Sequence, residues 1–342
     1  MLRSLQVLKM DKLICNGRVL YNDYDEFWFI SDLKLYRQDK RKSTCSLCFD
    51  FSKILSNIFK VELVQRLLRR HPDHFIKFKN NYIIFGYGYI WTLSSLDFTL
   101  ISIEKYYGSR PLNVANDENI IVYGAYFSNL ERYPVPLFQS FDGITWSILC
   151  HTSGIRHFHS VKLIGDGRLL CTTGDENHEN KLLLIDLASK KKTELLIGGQ
   201  KNRFICMEGD IQRGFYLFMD TPLEENSVFH FDINTCQKTE IGRVSSSVFH
   251  SVEANNSIYF STAVEPSQIN RTNKSKIYQI EKNEIKFISE FKKDLWSMKY
   301  FQYGQIKFSR NKSSKLEVMY TPFATKKTGM TYKLSKGDLN GQ

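Results

Sequence analysis

Arg156-His-Phe-His-Ser-Val-Lys-Leu163, Arg168-Leu-Leu-Cys-Thr-Thr173, Lys181-Leu-Leu-Leu-Ile-Asp-Leu187 and Thr193-Glu-Leu-Leu-Ile197 are four short runs separated by turn formers: Gly165-Asp-Gly167, Gly174-Asp-Glu-Asn177 and Ala188-Ser-Lys190. Runs of this length between turn signals read as strands. The same four-stroke pattern returns at Arg203–Glu208, Gly214–Met219, Ser227–Ile233 and Gln237–Ile241. It returns again at Ser247–Glu253, Ser257–Thr262, Lys276–Ile280 and Glu284–Glu290, and once more at Leu295–Tyr303, Gln305–Ser309, Leu316–Tyr320 and Met330–Leu334. First strands therefore begin near 156, 203, 247 and 295, at spacings of 47, 44 and 48. Four-stranded units at that period are propeller blades.

Working towards the N-terminus, further units start near 111 and 74, and one more spans about 8 to 50. The expectation is an all-β chain forming one seven-bladed β-propeller domain over residues 1–342. Six or eight blades are the alternatives, because the first unit is the least regular. One segment breaks the pattern. In 51–71 Ile54, Leu55, Ile58, Phe59, Leu63 and Leu67 recur at helical spacing, with Pro72 just beyond, which predicts an inserted amphipathic helix. Its polar side carries Arg66, Arg69 and Arg70, read either as a solvated face or as a basic wall beside a site.

Composition supports a globular β protein. Of 342 residues 42% are hydrophobic and 14% aromatic, including 25 Phe and 18 Tyr, and aromatics favour strands. No apolar run approaches the roughly 20 residues of a membrane helix, and the N-terminus has no continuous apolar leader. No membrane span and a cytoplasmic location are expected. Seven cysteines without framework spacing suit free thiols, and Cys45-Ser-Leu-Cys48 reads as incidental strand cysteines. The net charge of +11 is scattered along the chain without a recognition module, so no specific nucleic-acid partner is expected. Oligomeric state is not readable.

In a propeller the D-to-A and B-to-C connections share one face, and here they are the long, chemically rich ones. That decorated face is the candidate site. On it converge Arg132, Arg156, Gln200, Arg203, Asp220 and Trp296 as substrate-binding candidates, and His157, His159, Asp175 and Glu265 as catalytic ones. Arginine forks hold carboxylates bidentately, and His or Glu moves protons near neutral pH. The spacing His157-x-His159 places both rings on one side of a strand, so no cofactor is expected except, as an alternative, a divalent metal on His157, His159 and His250.

Ser140-Phe-Asp-Gly-Ile-Thr-Trp146 resembles the Asp-box of sialidase-type (BNR) propellers, one residue short. Residues 110–310 more widely resemble sialidase-like propeller proteins found among bacterial surface-polysaccharide genes. The resemblance is carried by Arg156-His-x-His159, Thr173-Gly-Asp175, Gly199-Gln-x-x-Arg203, Asp220-Thr-Pro222, Val264-Glu-Pro266 and Lys293-Asp-Leu-Trp296. It implies a glycan-active or glycan-binding protein of capsule, O-antigen or exopolysaccharide metabolism, with an acidic or hydroxylated glycan as partner. If it is an enzyme, a glycosidase or a polysaccharide lyase is implied; the alternative is a non-catalytic binding platform for polysaccharide assembly.

Overall fold

The middle strands of each repeat have no polar face to spare. In the unit that opens the sequence reading, Arg168–Thr173 and Lys181–Asp186 are largely buried, while Lys192–Ile197 is mostly half-buried or exposed. A strand apolar on both faces needs a sheet on either side, and a ring of radially stacked sheets supplies one. The computed structural model, which describes residues 11–334, contains seven such sheets. Residues 1–10 and 335–342 of the expected domain lie outside the described residues.

Blade 1 runs from strand Arg18–Asn22 to strand Cys45–Asp50, blade 2 from His74–Phe78 to Leu100–Lys105, and blade 3 from Val114–Asn116 to Ser147–Thr152. Blade 4 runs from Phe158–Leu163 to Lys192–Ile197, blade 5 from Phe204–Asp210 to Gln237–Arg243, and blade 6 from Val248–Ala254 to Glu284–Lys292. In each, four antiparallel strands follow one another in chain order from the inside outwards, and in blade 1 the short strand Arg310–Asn311 adds to the inner edge, parallel to Arg18–Asn22.

Blade 7 is assembled differently from expectation. Its inner three strands are Gln305–Phe308, Met319–Phe323 and Met330–Lys333, and its outermost is Lys12–Asn16, paired antiparallel with the last through Leu13 opposite Tyr332 and Asn16 opposite Met330. The first unit thus starts at Arg18, and Leu295–Tyr303 is not a strand. That segment is a loop with a four-residue helix, Met298–Phe301. The Asp294 carboxylate explains the change, because it accepts from the Trp296 N–H at 3.1 Å and from the Arg66 guanidinium at 2.7 Å, turning the chain away from the sheet.

Seven apolar clusters fill the seven gaps between neighbouring blades. The gap between blades 3 and 4 holds Val122, Leu137, Phe158, Leu169 and Leu183, and that between 4 and 5 holds Leu170, Leu182, Phe204 and Phe215. The gap between blades 7 and 1 has the smallest buried set: Val19, Phe27, Phe29 and Met319.

In place of one continuous helix, residues 51–71 contain two 3-10 turns, Phe51–Lys53 and Asn57–Lys60, and a six-residue α-helix, Glu62–Leu67. Asp50 and Ser56 side chains accept backbone N–H groups ahead of the two turns and restart the chain each time. Phe51 and Phe59 plug into the apolar gap between blades 1 and 2, whereas Ile54 and Ile58 stay exposed. Arg66 is neither a solvated face nor a wall: it is buried against Asp294 and the Phe301 carbonyl at 2.8 Å. All seven cysteines are free, and burial pushes the Cys48 thiol up to about 11, far from thiolate chemistry. Among the described residues no helix is long and apolar enough to cross a membrane.

Candidate functional site

Antiparallel order places the D-to-A and B-to-C connections of the blades at one end of the ring. A central cavity of about 570 Å³ extends from that end along the inner strands as far as Asn116, Leu163 and Glu253, a volume within the usual range for small-molecule sites. Arg18, Asp73, Arg110, Arg203 and Tyr303 line it from the starts of inner strands or the segments leading into them. Tyr126, Asp175, Asp220 and Glu265 line it from B-to-C loops.

Asp175 is the hub of one wall. One of its oxygens accepts from Arg156 Nη1 at 3.0 Å and the other from Arg203 Nη2 at 2.9 Å. His157 Nε2 lies 3.5 Å from the first oxygen, and His159 Nε2 lies 3.4 Å from the second. Burial opposes the charge on Asp175, but the two imidazoles and Arg203 outweigh it and hold the carboxyl well below the usual range. His157 and His159 are themselves buried and do not line the cavity; they stand behind Asp175. Burial also pushes His157 below its ordinary value, against the pull of Asp175. The third histidine, His250, does not join them. Its Nε2 is taken up by Gln305 Oε1 at 3.1 Å, and Asp175 completes the group in its place.

Arg203 continues the wall to Asp220 at 3.5 Å. Asp220 Oδ1 and Arg203 Nε are buried without a hydrogen-bond partner, which leaves polar capacity for a ligand. Glu265 accepts from Ser247 Oγ at 2.5 Å. Burial first, and then the neighbouring Asp220 charge, raise its carboxyl to about 7. A carboxylic acid that holds its proton near neutral pH, facing a cavity, is suited to general acid work.

The other binding candidates divide. Arg156 and Arg203 meet at Asp175. Gln200 instead braces the loop beneath it, donating to the Asp175 carbonyl at 3.1 Å and accepting from Thr221 Oγ1 at 2.7 Å. Arg132 is spent on buried Glu179 and on the Asn129 and Leu130 carbonyls, and Glu179 in turn receives the Arg156 N–H at 3.0 Å. It props the site from behind. Trp296 lies half-exposed on the 294–302 loop against Phe301 and is not itself among the residues that line the cavity, although Gln302 of the same loop is.

A second polar cluster escapes the sequence reading. Buried Asp73 is approached by Arg18 at 3.0 Å, Arg110 at 2.8 Å and Lys307 at 2.7 Å, with His71 Nε2 at 3.4 Å. Burial opposes ionisation of Asp73, but His71, Lys307 and Arg110 hold it well below the usual carboxylate range. Three basic side chains share one carboxylate. Lys307, fully enclosed, is pushed well below its ordinary value by burial and by Arg18, and Arg18 Nε is left without a partner. These residues come from blades 1, 2, 3 and 7 and show no local motif. A signal exists for Arg110 alone, because Arg110, Arg156 and Arg203 stand 46 and 47 residues apart, each within four residues of the start of one of three successive inner strands.

No described protein family matches the sequence, and no curated protein does. Among solved structures, the extracellular domain of a putative one-component system from B. thetaiotaomicron superposes with a TM-score of 0.59 at 10% identity, over 96% of this chain and 40% of that one. A prolyl endopeptidase matches at a TM-score of 0.58 and 11% identity, over 91% of this chain and 46% of its own. The computationally designed Ika8 protein matches at 0.53 and 11%, over 95% of this chain and 99% of its own. The chain thus spans less than half the length of the two natural proteins. At such identities the likeness is one of fold: the chain is a seven-bladed β-propeller whose structural neighbours differ in function.

Proposed function

We propose that the cavity binds an anionic glycan and that Glu265 serves it as a general acid. The observation that supports this most is the surplus of basic side chains over carboxylate at Asp73. An added carboxylate, sulfate or phosphate oxygen would relieve the crowding of Arg18, Arg110 and Lys307. Tyr126 and Tyr303 in the same wall offer ring faces to sugars. The Ser140–Trp146 turn agrees with the sialidase-like resemblance. Asp142 accepts from the N–H groups of Ile144 at 2.8 Å and Thr145 at 2.7 Å, and Ser140 Oγ accepts from Gly143 at 2.8 Å, a bracing role remote from the cavity.

Because His157 and His159 stand behind Asp175, a histidine base for elimination is poorly supplied. Hydrolysis with Glu265 as acid and Asp175 or Asp220 as the second carboxylate is the better version. The setting proposed is bacterial surface-polysaccharide metabolism, on a cytoplasmic precursor. Titration calorimetry with uronate-containing and neutral oligosaccharides tests binding. Binding of the acidic ones, weakened at least tenfold in Arg110→Ala and by added salt, is the expected outcome; equal binding by the variant overturns the assignment.

A second reading, a non-catalytic assembly platform, rests on a different surface. Leu295, Trp296 and Tyr300 are exposed on the 294–302 loop, beside the α-helix that carries exposed Leu67. Acidic-glycan binding without new reducing ends, unchanged in Glu265→Gln, would favour this reading.

A further inference from the structure

The pair behind Asp175 has a hydrogen-bonding arrangement that points to a ligand of its own. His157 Nδ1 lies 3.1 Å from the Phe127 carbonyl, and His159 Nδ1 lies 3.1 Å from the Phe204 carbonyl. A carbonyl oxygen only accepts, so in each ring Nδ1 carries the hydrogen and donates it. With Nδ1 engaged in this way, each ring turns its Nε2 towards Asp175, where either a proton or a metal ion can pair the nitrogen with the carboxylate. These two nitrogens face one another at 3.1 Å, and each lies 3.4 to 3.5 Å from a different carboxylate oxygen of Asp175, Oδ2 for His157 and Oδ1 for His159. Two imidazole nitrogens and a carboxylate oxygen thus converge within 4.8 Å of one another, with His157 and His159 only 4% and 2% exposed.

The geometry points to a divalent transition-metal site, with Zn²⁺ the best fit, formed by His157 Nε2, His159 Nε2 and an Asp175 oxygen. Ligands about 2.0–2.2 Å from a tetrahedral zinc lie roughly 3.3–3.5 Å from one another, and here the two Nε2 atoms and an Asp175 oxygen lie within 4.8 Å of one another, each nitrogen already 3.4 to 3.5 Å from one carboxylate oxygen. Two imidazoles and one carboxylate are a zinc-type donor set, and backbone carbonyls on both Nδ1–H groups are the outer support that orients metal-binding histidines. A fourth position falls to water from the adjoining cavity, which Asp175 lines. The ion would tie the loop of Phe127 in blade 3 to the inner strand of blade 5 through blade 4. It would also fix Asp175 from behind, leaving Arg156 and Arg203 to hold its remaining lone pairs. The competing occupant is a proton shared between the rings.

This inference does not depend on the glycan reading, and its test uses the full-length protein without glycan. Protein stripped with chelator is titrated with Zn²⁺ and, separately, with Co²⁺, whose visible spectrum reports ligand type and geometry. Expected are one equivalent bound per chain, a tetrahedral Co²⁺ band in the unmodified protein, and at least a hundredfold weaker Zn²⁺ binding in His157→Ala and His159→Ala. The unmodified protein gives the spectral answer even where a variant fails to fold. No stoichiometric binding and no tetrahedral band would overturn the site and leave the shared proton, as would binding that both variants retain. Acidic-glycan binding measured on the same stripped protein reports on the other proposal separately.

Discussion

Glu265 carries the clearest consequence at the scale of a single residue. Its carboxyl sits at about 7 when folded, against 4.5 as the ordinary value. A carboxyl raised by folding binds its proton more tightly in the native state, so its contribution to stability is full below about pH 4.5 and is lost as pH rises through 7. The gap is worth roughly 3 kcal/mol, an order-of-magnitude figure at about 1.4 kcal/mol per unit. Glu265→Gln is therefore expected to match or fall below the parent at pH 5 and to exceed it at pH 8, read from urea unfolding at both values. Equal differences at the two pH values would show that Glu265 is already charged in the fold. Residues such as His157, Asp175, Arg203 and Glu265 were legible because they lie in or next to the long B-to-C and D-to-A connections. Asp73 and Lys307 were not. Lys307 reads as an ordinary strand residue within Gln305–Phe308, and only ring closure shows that it meets Asp73, 234 positions away.

Among the elements, the strands were the easiest to read, because a blade's middle strands are apolar on both sides and end at turn formers. The helix of the inserted segment, Glu62–Leu67, is shorter than its pattern predicts for a physical reason. Its apolar residues do recur at helical spacing, but Phe51 and Phe59 are the ones drawn into the gap between blades 1 and 2, and side-chain caps at Asp50, ahead of Phe51, and at Ser56, between the two, start separate turns. The same local capture took Leu295–Tyr303 out of blade 7, through Asp294. Arg66 links the two departures, since its guanidinium reaches Asp294 and Phe301 and its own carbonyl accepts from Gln302 Nε2 at 3.1 Å. Replacing one partner of a buried ion pair typically costs about 3–5 kcal/mol. Because Asp294 keeps Lys293 beside it, the lower end, about 3 kcal/mol, is expected for Arg66→Met. Limited proteolysis should then cut within 51–71 or 294–302 before any blade is attacked; an unchanged cleavage pattern would show that the two segments hold without it.

Over the whole molecule, the ring is closed by pairing between its two most distant parts, at the gap with the smallest apolar cluster. Thr331 concentrates the polar part of that closure. Its buried hydroxyl donates to the Gly17 carbonyl at 2.7 Å, accepts from the Val19 N–H at 3.1 Å and lies 2.7 Å from Thr321 Oγ1. Thr331→Val keeps the shape and strands the Val19 N–H, a loss of about 1–3 kcal/mol. Amide exchange should quicken in 12–22 and 319–333 while blades 3 to 5 keep their protection. Uniform acceleration around the ring would mean that the seam is no weaker than the other gaps.

That closure also sets an order of events during synthesis. Lys12–Asn16 leaves the ribosome long before its partner strand, Met330–Lys333, which emerges more than 300 residues later. At roughly 5–20 residues per second, the early strand waits some 15 to 60 seconds with its edge unpaired. Throughout that interval Leu13 and Ile14 are free to pair with another nascent chain. On a crowded polysome, the speed of translation itself becomes a determinant of how much protein closes on itself and how much is lost to its neighbours.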